Sequence, residues 1–252
     1  MERIGKVLLM LVVLLSTFGC AQNYYSIPKE SYEGKVRVLG IAPIFVDDTS
    51  EIRHPEKEAV LPLVREANRK NERELLRMLK ETGVYFSIRF IEGDPDQLYV
   101  SLQPRREKRS DAGVTYNKYF FDTATISRLI KENGVDAVAL MVVSGINRRD
   151  KVSSGNLLST LEADYNELIL TAQIIDAEGT VLWEYPNFKK RNPNIPPLLR
   201  LQYPDFDEAE ANETDKVEVK FKTIAGIGRA LQRKDKDMLR RETRLSYRYS
   251  IV

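Results

Sequence analysis

Hydrophobic and polar positions change period several times along the chain. VRVLGIAPIFVDD places Val36, Val38, Ile41 and Ile44 in a β-branched-rich apolar run ending at Asp47 and Asp48, which predicts a buried strand, with Pro43 bending or ending it. From about Val60 to Thr82 the spacing turns helical: Val64, Ala67, Leu75, Met78 and Leu79 share one face, while Arg65, Lys70, Glu72 and Arg77 fall away from it. Gly83 supplies the stop. VYFSIRFIE (84 to 92) predicts a second strand, and Ala124 to Asn133 a second helix with Ile126, Leu129 and Ile130 inward, Asp122 or Thr123 as its cap and Gly134 past its end. VDAVALMVVSG (135 to 145) is the most apolar strand and is expected at the sheet centre. ELILTAQIIDAEGTVLWEY (167 to 185) predicts a hairpin around DAEG. A last helix is expected over Asp215 to Leu239, with Val217, Phe221, Ile224, Ile227, Ala230 and Leu231 on one face, an acidic approach and a basic end. The sum is an α/β (α+β) fold: a single domain with a mixed β-sheet packed by helices, in the order β-α-β-α-β-β-β-α.

The first residues follow a different logic. Arg3 and Lys6 precede nine uninterrupted apolar residues, Val7 to Leu15, and a short c-region that includes the small residues Ser16 and Gly19, which is signal-peptide anatomy. The run is too short for a permanent span, since the hydrocarbon layer needs about 20 apolar residues. Cys20, the single cysteine, directly follows Gly19. Residues 1–19 are therefore expected to be a signal peptide, 20–35 a polar tether punctuated by Pro28 and Gly34, and 36–252 the folded domain.

Composition narrows the options. With 39 basic against 37 acidic residues, the chain lacks the positive balance on which general nucleic-acid binding leans. One cysteine excludes an intrachain disulfide, and one histidine beside it excludes the common zinc sites built from Cys and His. His54, in EIRHPEKE, has no accompanying nucleophile motif and is expected to be an exposed loop residue. Asp47-Asp48, GDPDQ (93 to 97) and DFDEAE (205 to 210) lack the alternation, turn glycine and closing glutamate of a calcium loop, so they are expected to be strand-end, turn and helix-approach carboxylates. GIGRA (226 to 230) lies within a helical period and has no phosphate-loop pattern. RREKR (105 to 109) predicts a solvated basic loop, Trp183 a strand packing residue, and PNIPPLLRLQYP (193 to 204) an extended stretch that covers a sheet edge or offers a docking strand. No metal, cofactor or catalytic set is expected.

Two resemblances add to this. Thr17-Phe18-Gly19-Cys20, with Leu15 just upstream, resembles a bacterial lipobox, although Thr17 and Phe18 stand where that pattern usually has Leu and a small residue. The resemblance implies cleavage before Cys20, diacylglyceryl attachment to its sulfur and acylation of the new amino group; Ala21 after it implies sorting to the outer membrane. A plain secretory leader with an incidental cysteine is the alternative. Val36 to Pro43, Ile130 to Val138 (helix-Gly-x-Asp-Ala-strand) and the paired strands Leu168 to Tyr185 around Asp176-Ala177-Glu178-Gly179 are similar to bacterial envelope lipoproteins whose domain is related to the TolB N-terminal domain, including the curli-secretion lipoprotein CsgG and the activator LpoB. These are packing and turn residues, so the resemblance implies architecture more than activity.

The expectation is a non-enzymatic lipoprotein on the periplasmic face of the outer membrane, held by acylated Cys20 and binding an unidentified envelope protein. Oligomerisation is left open. The alternative is a subunit of a CsgG-like secretion pore, for which QLYVSL and GVTYNKYFF would form a hairpin joined by a basic turn.

Overall fold

A strand turns successive side chains to opposite faces, so residues three apart should point away from each other. In the strand Val38–Asp47, Ile41 and Ile44 nevertheless enter the same core, because the ladder to the neighbouring strand slips between them. The slip falls at Ala42-Pro43, where proline has no amide to donate. The helix Lys57–Glu81 then satisfies the displaced backbone of Ile44: its amide donates to Glu72 Oε1 at 2.8 Å, and Asn68 Nδ2 donates to its carbonyl at 3.2 Å. Asn68 and Glu72 are four apart, so one helix face meets both groups. Glu72 is therefore buried, against its expected place on the outer face, and Met78, expected inside, is 38% exposed.

The computed structural model describes residues 24–111, 113–153, 160–188, 196–205 and 218–232. Its elements are α1 (Lys29–Lys35), β1 (Val38–Asp47), α2 (Lys57–Glu81), β2 (Ser87–Phe90), α3 (Pro95–Ser101), β3 (Arg105–Asp111), β4 (Val114–Phe120), α4 (Thr123–Asn133), β5 (Ala137–Ser153), β6 (Thr160–Asp176), β7 (Val181–Tyr185), β8 (Leu199–Arg200), β9 (Gln202–Asp205), β10 (Glu218–Phe221) and α5 (224–232). The main sheet runs β2-β1-β5-β6-β7, with β8 also paired to β6. β2, β1 and β5 are parallel, while β6, β7 and β8 run antiparallel to their partners. The fold is thus a single α/β domain with a mixed sheet packed by helices.

Alternation along β5 divides the core. Ala137, Ala139, Met141 and Val143 face α2, together with Tyr32 of α1 and Ile227 and Leu231 of α5. Val138, Leu140 and Val142 face α4, Leu102 and Tyr119 of β4. Fully burying one such aliphatic side chain contributes roughly 1.5–3 kcal/mol, so the two faces of this strand carry much of the stability.

The turn residues explain themselves in contacts. Asp122 caps α4 by accepting from Thr125 N at 2.7 Å, and Gly134 ends it at φ 58°, a conformation that a Cβ disfavours. Asp136 accepts from the amides of Arg37 and Val38 at 2.9 and 2.7 Å, tying the start of β5 to the start of β1. Asp176 holds the β6–β7 turn by accepting from the amides of Glu178 and Thr180 at 3.2 and 2.8 Å.

Four expectations need correction. Tether residues 24–35 are part of the folded domain: Lys29–Lys35 is helical, Tyr32 is fully buried, and its hydroxyl lies 2.7 Å from that of Tyr85. A polar, tyrosine-bearing stretch hides its fold because its burial comes from aromatic contacts rather than an aliphatic period. Gln97 to Ser101, a strand only on the alternative pore reading, is helical in α3, whose cap Asp94 accepts from Gln97 N at 2.9 Å. RREKR is strand rather than loop, because β3 pairs in full register with β4. Phe221 belongs to β10, which pairs with β9, so the last helix begins later, at 224. Residues 215–217 and 233–239 of that expected helix, and Cys20 with the leader, lie outside the described residues. Within PNIPPLLRLQYP, of which 193–195 lie outside the described residues, Leu199 and Arg200 cover a sheet edge as β8, pairing with Leu168 and Glu167.

Candidate functional site

The chain leaves β1 through α2 to β2 and returns on the other side of β1 as β5, so neighbouring connections diverge at the carboxyl ends of β1 and β5. Open α/β sheets place their ligand crevices at such a point. Here it is occupied by the protein's own hairpin. Asp47, 2% exposed, accepts from Tyr119 Oη at 2.7 Å, from Thr49 Oγ1 at 2.7 Å and from Arg106. Asn117 Nδ2 donates to Ser144 Oγ at 2.9 Å. The loop after β1 closes from the other side: a Cβ on Gly145 would stand 2.4 Å from the backbone nitrogen of Ile52, so only glycine admits this crossing.

Electrostatics there favour fixed charge over proton exchange. Burial alone would raise Asp47, but the hydrogen bonds from Tyr119, Thr49 and Arg106 outweigh it and hold the carboxyl below its ordinary value. Burial, reinforced by Asp47, pushes Tyr119 far up. Neither group is thereby tuned toward neutrality, where general acid–base catalysis works best.

A second charged cluster lies near the far end of the sheet. Glu167, 1% exposed, accepts from Arg148 Nε and Arg200 Nε, both at 2.8 Å, and Arg200 also reaches Asp150 at 2.5 Å while its guanidinium lies 4.2 Å from the Tyr165 ring centroid. His54 is engaged rather than loose: its Nδ1 accepts from Glu56 N at 3.0 Å, which makes Nε2 the donor to Lys222 O at 2.9 Å, and its ring meets Phe221 edge-on. These contacts tie the segment around Lys222 to the loop after β1.

Beneath β4 a small cleft, about 290 Å³ with its open mouth included, is lined by Lys118, Thr171, Gln173, Glu184 and Tyr185 among others. Lys118 and Glu184 pair across it at 2.8 Å. Gln173 Nε2 donates to Tyr119 O at 3.2 Å, while its Oε1 meets no donor among the described residues, an arrangement suited to an ordered water.

The two lateral edges of the sheet differ. On β7, Ser26 N donates to Leu182 O at 2.9 Å, Glu184 N donates to Tyr24 O at 3.0 Å, and Tyr25 bridges Trp183. On β2, Ser87 and Ile91 donate inward to Arg37 and Ile41 at 3.2 and 2.8 Å, which turns the amides of Ile88 and Phe90 outward. No further strand pairs with β2 among the described residues. Phe86, directly before it, is 81% exposed, and Val84 is also exposed.

Among the sequence candidates, Asp47 and the basic RREKR stretch come together through Arg106, whereas His54 and Trp183 lie at separate places. Asp94 is a helix cap, Asp96 pairs with Arg65 at 3.3 Å, and Asp205 pairs with Lys220; 206–210 lie outside the described residues. No group of three or more potential metal ligands occurs among the described residues. No described helix is long and apolar enough to cross a membrane. Nothing in VYFSIRF marks Phe86 as exposed, because the stretch alternates as if wholly strand; the strand starts one residue later. No family model matches the chain, and no curated protein matches it.

Proposed function

We propose that the chain is a non-enzymatic lipoprotein of the outer membrane's periplasmic face, anchored by acylated Cys20, whose α/β domain binds an envelope protein at the β2 edge. The anchor rests on the charged n-region, the apolar run and Gly19-Cys20. Stable holding takes more than one acyl chain, which lipoprotein processing supplies. The binding reading rests on one observation, the unpaired β2 edge beside the exposed Phe86. An extended partner segment adding to such an edge gains main-chain hydrogen bonds, with an apolar pocket or knob for specificity. Folded proteins normally protect such edges.

A photo-crosslinking side chain at position 86 in intact envelopes is expected to capture a defined partner, while the same group at exposed Glu66 of α2 does not. Equal capture at both positions refutes the edge as the docking site. Acyl labelling and globomycin-sensitive processing that disappear in Cys20→Ser are expected for the anchor; an unlabelled, freely soluble mature protein refutes it.

The second reading, a secretion-pore subunit, is favoured by the β3–β4 hairpin and by the extension of β5 and β6 beyond their neighbours as a two-stranded ribbon. Arg148 and Asp150 charge one face of β5 in that ribbon, Arg149 and Lys151 the other, whereas a membrane strand presents an apolar row to lipid. Rings in negative-stain images of detergent extracts would support the pore, and monomers would oppose it.

A further inference from the structure

Three residues separate Cys20 from Tyr24, and Tyr24 is already part of the domain: its carbonyl accepts from Glu184 N at 3.0 Å and from Asn187 Nδ2 at 3.1 Å. Four Cα steps of at most about 3.6 Å reach no farther than about 14 Å. A lipid on Cys20 would therefore leave the domain little freedom to turn another side toward the bilayer. Beside this attachment point stand three half-buried aromatic rings, with Tyr24 lying 5.8 Å from Trp183 and 5.5 Å from Tyr185 between centroids. Tyrosine and tryptophan favour the headgroup layer, where an apolar ring and a polar tip are both accommodated.

We propose that the β7 edge, with Tyr24, Trp183 and Tyr185, lies against the headgroup layer of the membrane that holds Cys20. This orientation rests on the acylation of Cys20 argued above. It gives the open edge a direction: β2 lies four strand spacings away, roughly 19 Å at about 4.8 Å each, so it faces away from the bilayer toward partners in the aqueous space. Tyr24–Ser26 thus seal the edge that meets lipid, and the unsealed edge is the one presented outward.

Trp183 is the only tryptophan in the chain, which supplies the test. The acylated processed protein is reconstituted into phosphatidylcholine vesicles with and without nitroxide-labelled headgroups, and its co-flotation with the vesicles is measured in the same samples. Trp183 fluorescence is expected to fall in the nitroxide vesicles. In the double variant Trp183→Phe/Phe86→Trp, the tryptophan at position 86 is expected to keep its intensity. Protein that floats with the vesicles but shows no quenching of Trp183, or equal quenching at positions 183 and 86, overturns the orientation. Protein that carries no acyl group and does not float overturns the anchor, and the orientation with it. Should the double variant fail to fold, the native protein alone decides through the loss or retention of Trp183 intensity.

Discussion

The β7 and β2 edges belong to one sheet and end differently. β7 is closed by Tyr24–Ser26, a segment whose sequence is polar and aromatic, whereas β2 keeps the amides of Ile88 and Phe90 turned outward beside Phe86. A strand edge is a row of unmet hydrogen-bond donors and acceptors, so an edge sealed by an N-terminal segment and another that no strand among the described residues pairs call for different explanations. The first is part of folding. The second is the edge at which the proposed partner would add its strand.

The strongest challenge to this contrast is Tyr32→Ala. Tyr32 holds the N-terminal segment down through its fully buried ring, which packs edge-on at 4.9 Å from Tyr25, and through the hydroxyl contact with Tyr85. Loss of a buried aromatic ring is expected to cost about 3–5 kcal/mol in urea unfolding and to expose residues 24–35 to proteolysis. A cost below about 1 kcal/mol would mean that the β7 seal is peripheral to folding.

Asp47→Asn tests stability away from both edges. It removes the charge that meets Arg106, Tyr119 and Thr49, and is expected to cost about 2 kcal/mol at neutral pH while leaving the β7 edge protected from hydrogen exchange. The pH signature follows from the sign. Because the folded-state carboxyl titrates below its ordinary value, its stabilisation is present above that value and is lost as pH falls through the folded one. The native protein should therefore lose stability in that acidic window, and the variant should lose less; parallel acid profiles would refute the assignment.

Glu72→Gln should have a smaller effect of the opposite sense. Burial raises the Glu72 carboxyl despite the hydrogen bond from Ile44 N, so its favourable contribution is present below the ordinary glutamate value and fades as pH rises through the raised one. The neutral amide is expected to match or exceed native stability near neutrality, by less than about 1 kcal/mol, with denaturation at two pH values as the check. A clear loss at neutral pH would show that the ionised carboxylate is needed at the Pro43 bulge.

Phe86→Ser should change stability least, within about 0.5 kcal/mol, because the ring is 81% exposed. It should nevertheless abolish partner capture by a crosslinker placed at neighbouring Val84. Unchanged capture would leave the β2 edge open but without the role proposed for it.

Much of this was legible in local pattern. The helices around Val64 and Ile126, the central strand and the DAEG hairpin all express short-range periodicity or turn chemistry, which act within a few residues. α1 was not legible, because the burial of Tyr32 depends on Tyr25 and Tyr85, the latter 53 residues away. β3 was not legible either: RREKR is a solvated basic stretch in isolation, and only its pairing with β4 and the contact of Arg106 with buried Asp47 make it a strand of the hairpin. β10 was hidden by a helical spacing around Phe221 that its pairing with β9 overrides.

The sequence by itself determined the α/β class, the long helices and the central strand, the turns at Gly134 and Gly179, and Cys20 as the candidate lipid handle, since each depends on nearest neighbours or on a local signal. Tertiary structure alone decided that Asp47 is a buried hub, that His54 is tied to Lys222, and that one sheet edge is sealed while no strand among the described residues pairs with the other. Charge burial and strand pairing depend on groups distant in sequence, and no local period records which of them will meet.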